Sequence, residues 1–265
     1  EDLADAKDPH AKGLAERAQL ASAQARTLGH LLMLPPDSPS VLKGELGTQK
    51  RIAWSAPAPL DPIKACARQH GAKVNDVLVA AVSGALATYL HALGPVAGLE
   101  LRALVPVYVR DDSDPGELGN HFGLVYVPLA IDAADRYERL KKLQASFDAI
   151  KAQPDAVVAL GVLGAMGVAT SEIEHIGIQL FTRKASVMIT NVPGPPVEIH
   201  LAGSPLSEML VWAPVSGHIG LGVSLLSYAG QVRLGIAADA KRVADPRAIV
   251  SAYEAELAAF TSTAS

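Results

Sequence analysis

Residues 72–90 constrain this chain more than any other stretch. From Val77 through Ala87 nearly every position is apolar, interrupted by Ser83 and Gly84, and Tyr89 and Leu90 continue the pattern. A helix apolar all round belongs in the middle of a domain, covered on most sides. Any fold of this chain is therefore built outward from it. Asn75 and Asp76 stand at its threshold, with Asn75 read as the N-cap and Asp76 in the first turn. A helix start presents unpaired N–H groups and the positive end of a dipole. That suits chemistry in which negative charge develops, and it is equally where an ordinary helix takes an Asn as its cap. Both readings stay open on these residues alone.

The chain has 265 residues, 49% of them hydrophobic and 19% charged, so a sizeable core is expected and intrinsic disorder is excluded. A net charge of -4 and the absence of a basic stripe speak against nucleic acid as a partner. One cysteine, Cys66, rules out an internal disulfide framework and fits a reducing compartment. It reads as a small residue on a helix face, with a nucleophile as the alternative. The acidic start at Glu1, Asp2 and Asp5 has no signal-peptide pattern. The longest apolar run, residues 156–169, is shorter than the ~20 residues of a bilayer span. The chain does not begin with Met, which fits either a processed product or part of a longer polypeptide.

Taken in order, residues 2–33 read as helix, and Pro35, Pro36 and Pro39 force an extended linker. Residues 1–40 are thus a connecting helix and Pro-rich linker, and residues 41–265 one domain. A strand is expected at 51–56. A helix follows, with Asp61 as N-cap and Pro62 at its first position, stopped by Gly71. The central helix runs to about residue 93. Strands at 101–109 and 124–129 precede a helix over 136–151, where Tyr137, Leu140, Leu143, Phe147 and Ile150 recur at steps of three and four. A more apolar helical region at 156–180 is either a core helix or, with Arg183 and Lys184, a lipid-surface element. Strands are expected at 185–191, 208–213, 218–228 and 231–238, the last two joined as a hairpin at 228–231. Asp245 and Pro246 cap a terminal helix with Ile249, Tyr253, Leu257 and Phe260 on one side. The fold class is α/β with α+β layering, a mixed β-sheet with flanking helices. No Gly-rich phosphate motif marks a dinucleotide domain.

Eight histidines show no metal-ligand spacing, so no metal is expected, and no G-x-S-x-G elbow occurs. His121 and His218 flank strands and either line a cleft or are structural. Asn191-Val192-Pro193-Gly194-Pro195-Pro196 ends a strand in a rigid turn, which either sets strand geometry or lines a site. In the strand ending at Tyr228, Gly220 and Gly222 suggest close approach of a ligand or another backbone. Ser224 and Tyr228 share one face there, for substrate contact or ordinary sheet packing.

Several blocks together resemble one family. Val74-Asn75-Asp76-Val77 is similar to the Asn-Asp motif of bacterial bifunctional wax ester synthase/acyl-CoA:diacylglycerol acyltransferases (WS/DGAT). Leu42-Lys43-Gly44, Pro106-Val107-Tyr108-Val109-Arg110 and Gly119-Asn120-His121-Phe122-Gly123 resemble its further blocks. So do the 191–196 turn, Leu201-Ala202-Gly203, Ser227-Tyr228-Ala229-Gly230 and Ala238-Asp239. The resemblance runs from about Pro35 to the end, and residues 2–33 look like the helix joining that family's two halves.

The resemblance implies one half of a chloramphenicol acetyltransferase-like fold, and transfer of a fatty acyl group from acyl-CoA to diacylglycerol or a long-chain alcohol. Acyl-CoA is then a substrate and no cofactor is required. Asn75 is the implied oxyanion or substrate donor, with Asp76 orienting it or holding the helix start. Asn120, Phe122, Gly123, Asn191, Pro193, Gly194, Ser224 and Tyr228 are the implied substrate-binding residues. The family's general base is the second His of His-His-x-x-x-Asp-Gly, and no two histidines here are adjacent. The chain is therefore expected to be the C-terminal half, inactive alone, with an N-terminal half as partner, covalent or cleaved. Its expected place is the cytoplasm, peripheral at the inner membrane or lipid droplets. The competing class is a catalytically inactive lipid-surface or interaction module of the same fold.

Overall fold

The computed structural model describes residue 29 and residues 33–108, 122–151, 178–179 and 181–262. The region expected to be helical at 156–180 lies almost wholly outside these, as does most of 2–33. Four helices are described: α1 (Leu60–Gln69), α2 (Val74–His91), α3 (Arg136–Lys151) and α4 (Pro246–Thr261). The strands are β1 (Lys50–Trp54), β2 (Ala58–Pro59), β3 (Leu101–Tyr108), β4 (Phe122–Leu129), β5 (Val187–Pro193), β6 (His200–Leu201), β7 (Ser204–Pro205), β8 (Leu221–Tyr228) and β9 (Gln231–Asp239). One mixed sheet has the order β1-β9-β8-β5-β3-β4, with β2 also against β9, and β6 and β7 form a separate small hairpin. The pairs β8–β5 and β5–β3 are parallel, and the other pairs are antiparallel.

Period-two alternation sorts the strands into two faces. Val125, Val127, Val187, Ile189, Val223 and Leu225 enter the main core together with α2, α3 and α4. α2 fills that core. It is long and apolar enough to cross a membrane by composition, yet 67% of it is buried inside the fold. α4 starts as its sequence dictates: Asp245 accepts from the N–H groups of Arg247 and Ala248, and Pro246 occupies the first turn. The β8–β9 hairpin turns through Ala229 and Gly230, both at positive φ, the geometry that matches strand twist in a two-residue loop.

Two expectations are corrected. α1 begins at Leu60 with Pro59 in the cap position, which moves Asp61 and Pro62 into the first turn. Pro59 pairs with Gln231 in the short β2 ladder, so the helix starts directly off the sheet. Residues 208–213 form no strand. They lie flat over the sheet face away from the helices, where Gly222 and Gly235 leave room: a Cβ on Gly222 would overlap the Ala213 carbonyl, and one on Gly235 would come within 2.8 Å of the Val211 oxygen. The Ser224 hydroxyl donates to that Val211 carbonyl.

Candidate active site

The start of α2 is built differently from the expectation. Lys73, in extended conformation, is the N-cap, and Asn75 is the second helical residue. The helix is entered two residues early because Asp76 serves as the capping group from inside it. Its Oδ2 accepts from the Lys73 N–H at 2.9 Å, and its own N–H donates to the Lys73 carbonyl at 3.0 Å. Asp76 is buried, and its Oδ1 finds no hydrogen-bond partner among the described residues. This releases the half-buried Asn75 from capping. Its side chain meets Asn191, whose Nδ2 donates to Asn75 Oδ1 at 3.1 Å across 116 residues of sequence.

Parity explains the meeting. Val187 and Ile189 face the helices, so Asn191, two residues on, faces them as well, one step beyond the packed core. The turn that follows is anchored to β8: Gly194 N–H donates to the Ser227 carbonyl at 2.9 Å, and Ala229 N–H to that of Pro195 at 3.0 Å. Gly194 passes so near β8 that a Cβ would overlap the Ser227 carbonyl oxygen, which is backbone and cannot turn aside. Gly194→Ala should therefore displace the turn and lower the unfolding free energy by about 1–3 kcal/mol, read as a shift in the urea midpoint at constant slope.

A second feature of the site lies in β3. The Arg102 carbonyl accepts from Ser186 N–H on the β5 side, so Arg102, Leu104 and Pro106 turn their backbone groups toward β5. Pro106 has no N–H to offer there. The β3–β5 ladder accordingly holds at Ala103↔Val187 and Leu104↔Met188 and then ends, while β5 continues with β8 to Pro193↔Ser227. The β3–β5 ladder thus breaks off three residues before Asn191. A proline inside a strand pattern was its signal in the sequence, visible but uninterpretable without the neighbouring strand.

The remaining candidates sit elsewhere. Ser224 and Tyr228 occupy the sheet face away from the helices, with their hydroxyls engaged internally. Ser224 Oγ also reaches the Gly235 carbonyl at 3.2 Å, and Tyr228 OH donates to Leu206 at 2.6 Å and accepts from Ile199 N–H at 3.0 Å. Pro193 is exposed at the end of β5. On β4, Gly123 and Phe122 pair with Val107 and Tyr108 of β3. Asn120 and His121 lie outside the described residues. His218 sits at the opposite end of β8 from the Asn pair, accepting from Arg183 Nε at 3.3 Å. Burial and the positive charges of Arg183 and Lys43 hold its imidazole below the usual range. Cys66 is buried and burial pushes its thiol up, against a nucleophilic role.

A mixed sheet with helices packed on one face is a fold shared with solved acyltransferases. The wax ester synthase/diacylglycerol acyltransferase of Marinobacter aquaeolei VT8 superposes with TM-score 0.66 at 22% identity, over 93% of this chain and 57% of that one. The TRI3 trichothecene 15-O-acetyltransferase of Fusarium sporotrichioides gives 0.63 at 13%, over 93% and 53%.

Residues 118–261 match the family described as the WS/DGAT C-terminal domain, and the chain belongs to that family. A Mycobacterium tuberculosis protein named as a candidate diacylglycerol O-acyltransferase is 30% identical over 210 residues, which are 74% of this chain and 40% of that protein. The chain spans about half the length of the relatives it matches.

Proposed function

We propose that this chain is the C-terminal half of an acyl-CoA-dependent O-acyltransferase that esterifies diacylglycerol or a long-chain alcohol. The observation that carries the reading is the Asn75–Asn191 pair at the start of α2, in a chain of this family. The acceptor hydroxyl attacks the thioester carbonyl, and a histidine of the N-terminal half takes its proton. A C–O bond forms and the carbonyl oxygen becomes an oxyanion. Asn191 occupies Asn75 Oδ1, which directs the Asn75 amide N–H groups outward, beside the positive end of the α2 dipole. The C–S bond then breaks and the histidine returns the proton to the CoA thiolate. Asp76 fixes the helix start by accepting from the Lys73 N–H. No cofactor enters, and the water-insoluble acceptors place the reaction at an inner-membrane or lipid-droplet surface.

The test is esterification of labelled palmitoyl-CoA with diolein or hexadecanol. The chain joined to, or co-expressed with, an N-terminal half carrying His-His-x-x-x-Asp-Gly should form ester, and the chain alone should form none. No ester from the complete protein overturns the proposal in favour of an inactive lipid-surface module. Equal activity from the chain alone overturns the need for the second half.

A further inference from the structure

Three basic side chains from three separate segments converge at the end of β8 opposite the Asn pair. Lys43 is held there by an isolated antiparallel bridge to Ile219. Arg183 follows Thr182, whose hydroxyl accepts from the His218 N–H at 3.1 Å. Gly217, at positive φ, passes so near that a Cβ on it would overlap that hydroxyl. The third basic residue is His218 itself. The Lys43 ammonium donates to the Arg183 carbonyl, and Arg183 Nε donates to His218 Nε2 at 3.3 Å. Backbone contacts thus fix where all three side chains start.

Among the described residues, neither Lys43 nor Arg183 forms an ion pair. The carboxylate whose charge acts on Lys43 is Asp37, and its oxygens are committed to Arg102 and the Ser186 hydroxyl. Lys43 is half-buried, and burial, opposed by Asp37 and aided by Arg102, holds its ammonium below the usual range. Donors remain to spare. The terminal nitrogens of Arg183 and the remaining N–H groups of Lys43 have no partner among the described residues. His218 accepts at Nε2, so its proton sits on Nδ1.

Like charges gathered in a partly desolvated place repel one another, and an anion seated between them removes that cost. A guanidinium fork takes two oxygens of a planar or tetrahedral anion, and an ammonium adds a point charge. A carboxylate is used up by the fork alone, whereas a phosphate keeps a further oxygen for the ammonium. We propose that Lys43, Arg183 and His218 form a binding site for a phosphate group, carried by a soluble compound or by a lipid headgroup. The site stands apart from the Asn75–Asn191 pair and does not rest on the acyltransferase reading.

The experiment uses the complete protein, N-terminal half included. Thermal unfolding and calorimetric titration are followed with inorganic phosphate, against chloride at equal ionic strength. Phosphate should raise Tm in a saturable way, and chloride should not. Arg183→Gln and Lys43→Gln should each weaken phosphate binding by about tenfold or more. Arg183→Lys, which keeps the charge without the fork, should retain part of it. Arg183 is exposed, so its variants should fold, and the same melts check this. A second arm sediments the protein with phosphatidylcholine vesicles, with and without phosphatidate. Phosphatidate-dependent retention that both Gln variants lose supports the site and assigns it to a lipid headgroup. Lost phosphate binding with unchanged vesicle retention supports it and assigns it to a soluble compound. Equal effects of phosphate and chloride overturn the proposal, as does unchanged phosphate affinity in either folded Gln variant.

Discussion

Asn75→Ala in the complete acyltransferase is expected to lower kcat by about 10²–10³-fold, the usual cost of removing one oxyanion donor. The same change should lower Tm by only a few degrees. Its side chain makes one hydrogen bond, to Asn191 at the surface, and such a bond contributes about 1 kcal/mol. For a protein of this size that is roughly 2–4 °C. Asn75→Asp separates the roles more sharply. A carboxylate at the second helical position favours the α2 dipole, so the helix start should hold or strengthen. The same charge opposes an oxyanion, so activity should fall at least as far as with Ala. Retained activity in Asn75→Asp would reduce Asn75 to a part of the helix start. Asn191 acts through Asn75, and Asn191→Ala should cost less than Asn75→Ala in kcat, with thioester KM little changed. The readouts are steady-state ester formation and thermal unfolding on the same preparations.

The largest expected effect on stability is at Asp37, which the sequence places in a Pro-rich linker. Its side chain is fully buried at the head of β3. Oδ2 accepts from Arg102 N–H and the Ser186 hydroxyl, each at 2.8 Å, and Oδ1 accepts from Arg102 Nη1 at 2.8 Å. Asp37→Ala takes the buried carboxylate from the Arg102 guanidinium, which keeps only the Pro35 and Lys184 carbonyls and the exposed Glu100, and leaves a strand N–H and a buried hydroxyl without their acceptor. Breaking a buried pair by removing one partner costs about 3–5 kcal/mol, so Tm should fall by about 10 °C or more. A loss below 1 kcal/mol in urea unfolding would show that the segment is not part of the folded unit.

Asp37 also sets a pH dependence. Burial outweighs these bonds and the nearby Lys43 and Arg102 charges, and it holds the carboxyl above the usual range. The folded protein then binds this proton more tightly than the unfolded chain does. Its contribution is present in full below the unfolded value of about 3.9 and is lost as pH rises through the folded one. Asp37→Asn, which cannot titrate, should flatten that part of the stability profile. Urea midpoints between pH 3.5 and 6 compare the two proteins, and parallel profiles would assign the slope to other groups.

Several elements follow from local chemistry alone. The all-apolar helix, the Asp245–Pro246 start of α4, the 228–231 hairpin and the bounds of α3 each depend on a few consecutive residues, and each is where the sequence places it. The cap of α2 is not legible in the sequence because two polar residues stand side by side. Which of them bonds the Lys73 N–H depends on the geometry of the turn, and Asp76 reaches it from the third helical position. Residues 208–213 carry β-type residues but lie over β8 and β9, each already paired on both sides, and the glycines there leave room for them on the sheet face.

By its motifs, the sequence determined the family, and by its periodicity it determined that one helix lies at the centre with Asn75 and Asp76 at its start. Only the tertiary structure decided that Asn75, freed from capping, faces Asn191, and that Pro106 ends the β3–β5 ladder before it reaches them. The reason is physical. Periodicity and capping are set within a turn or two of backbone, whereas strand order brings together residues more than a hundred positions apart, and it is strand order that turns a proline into the end of a ladder and Asn191 into a donor to Asn75.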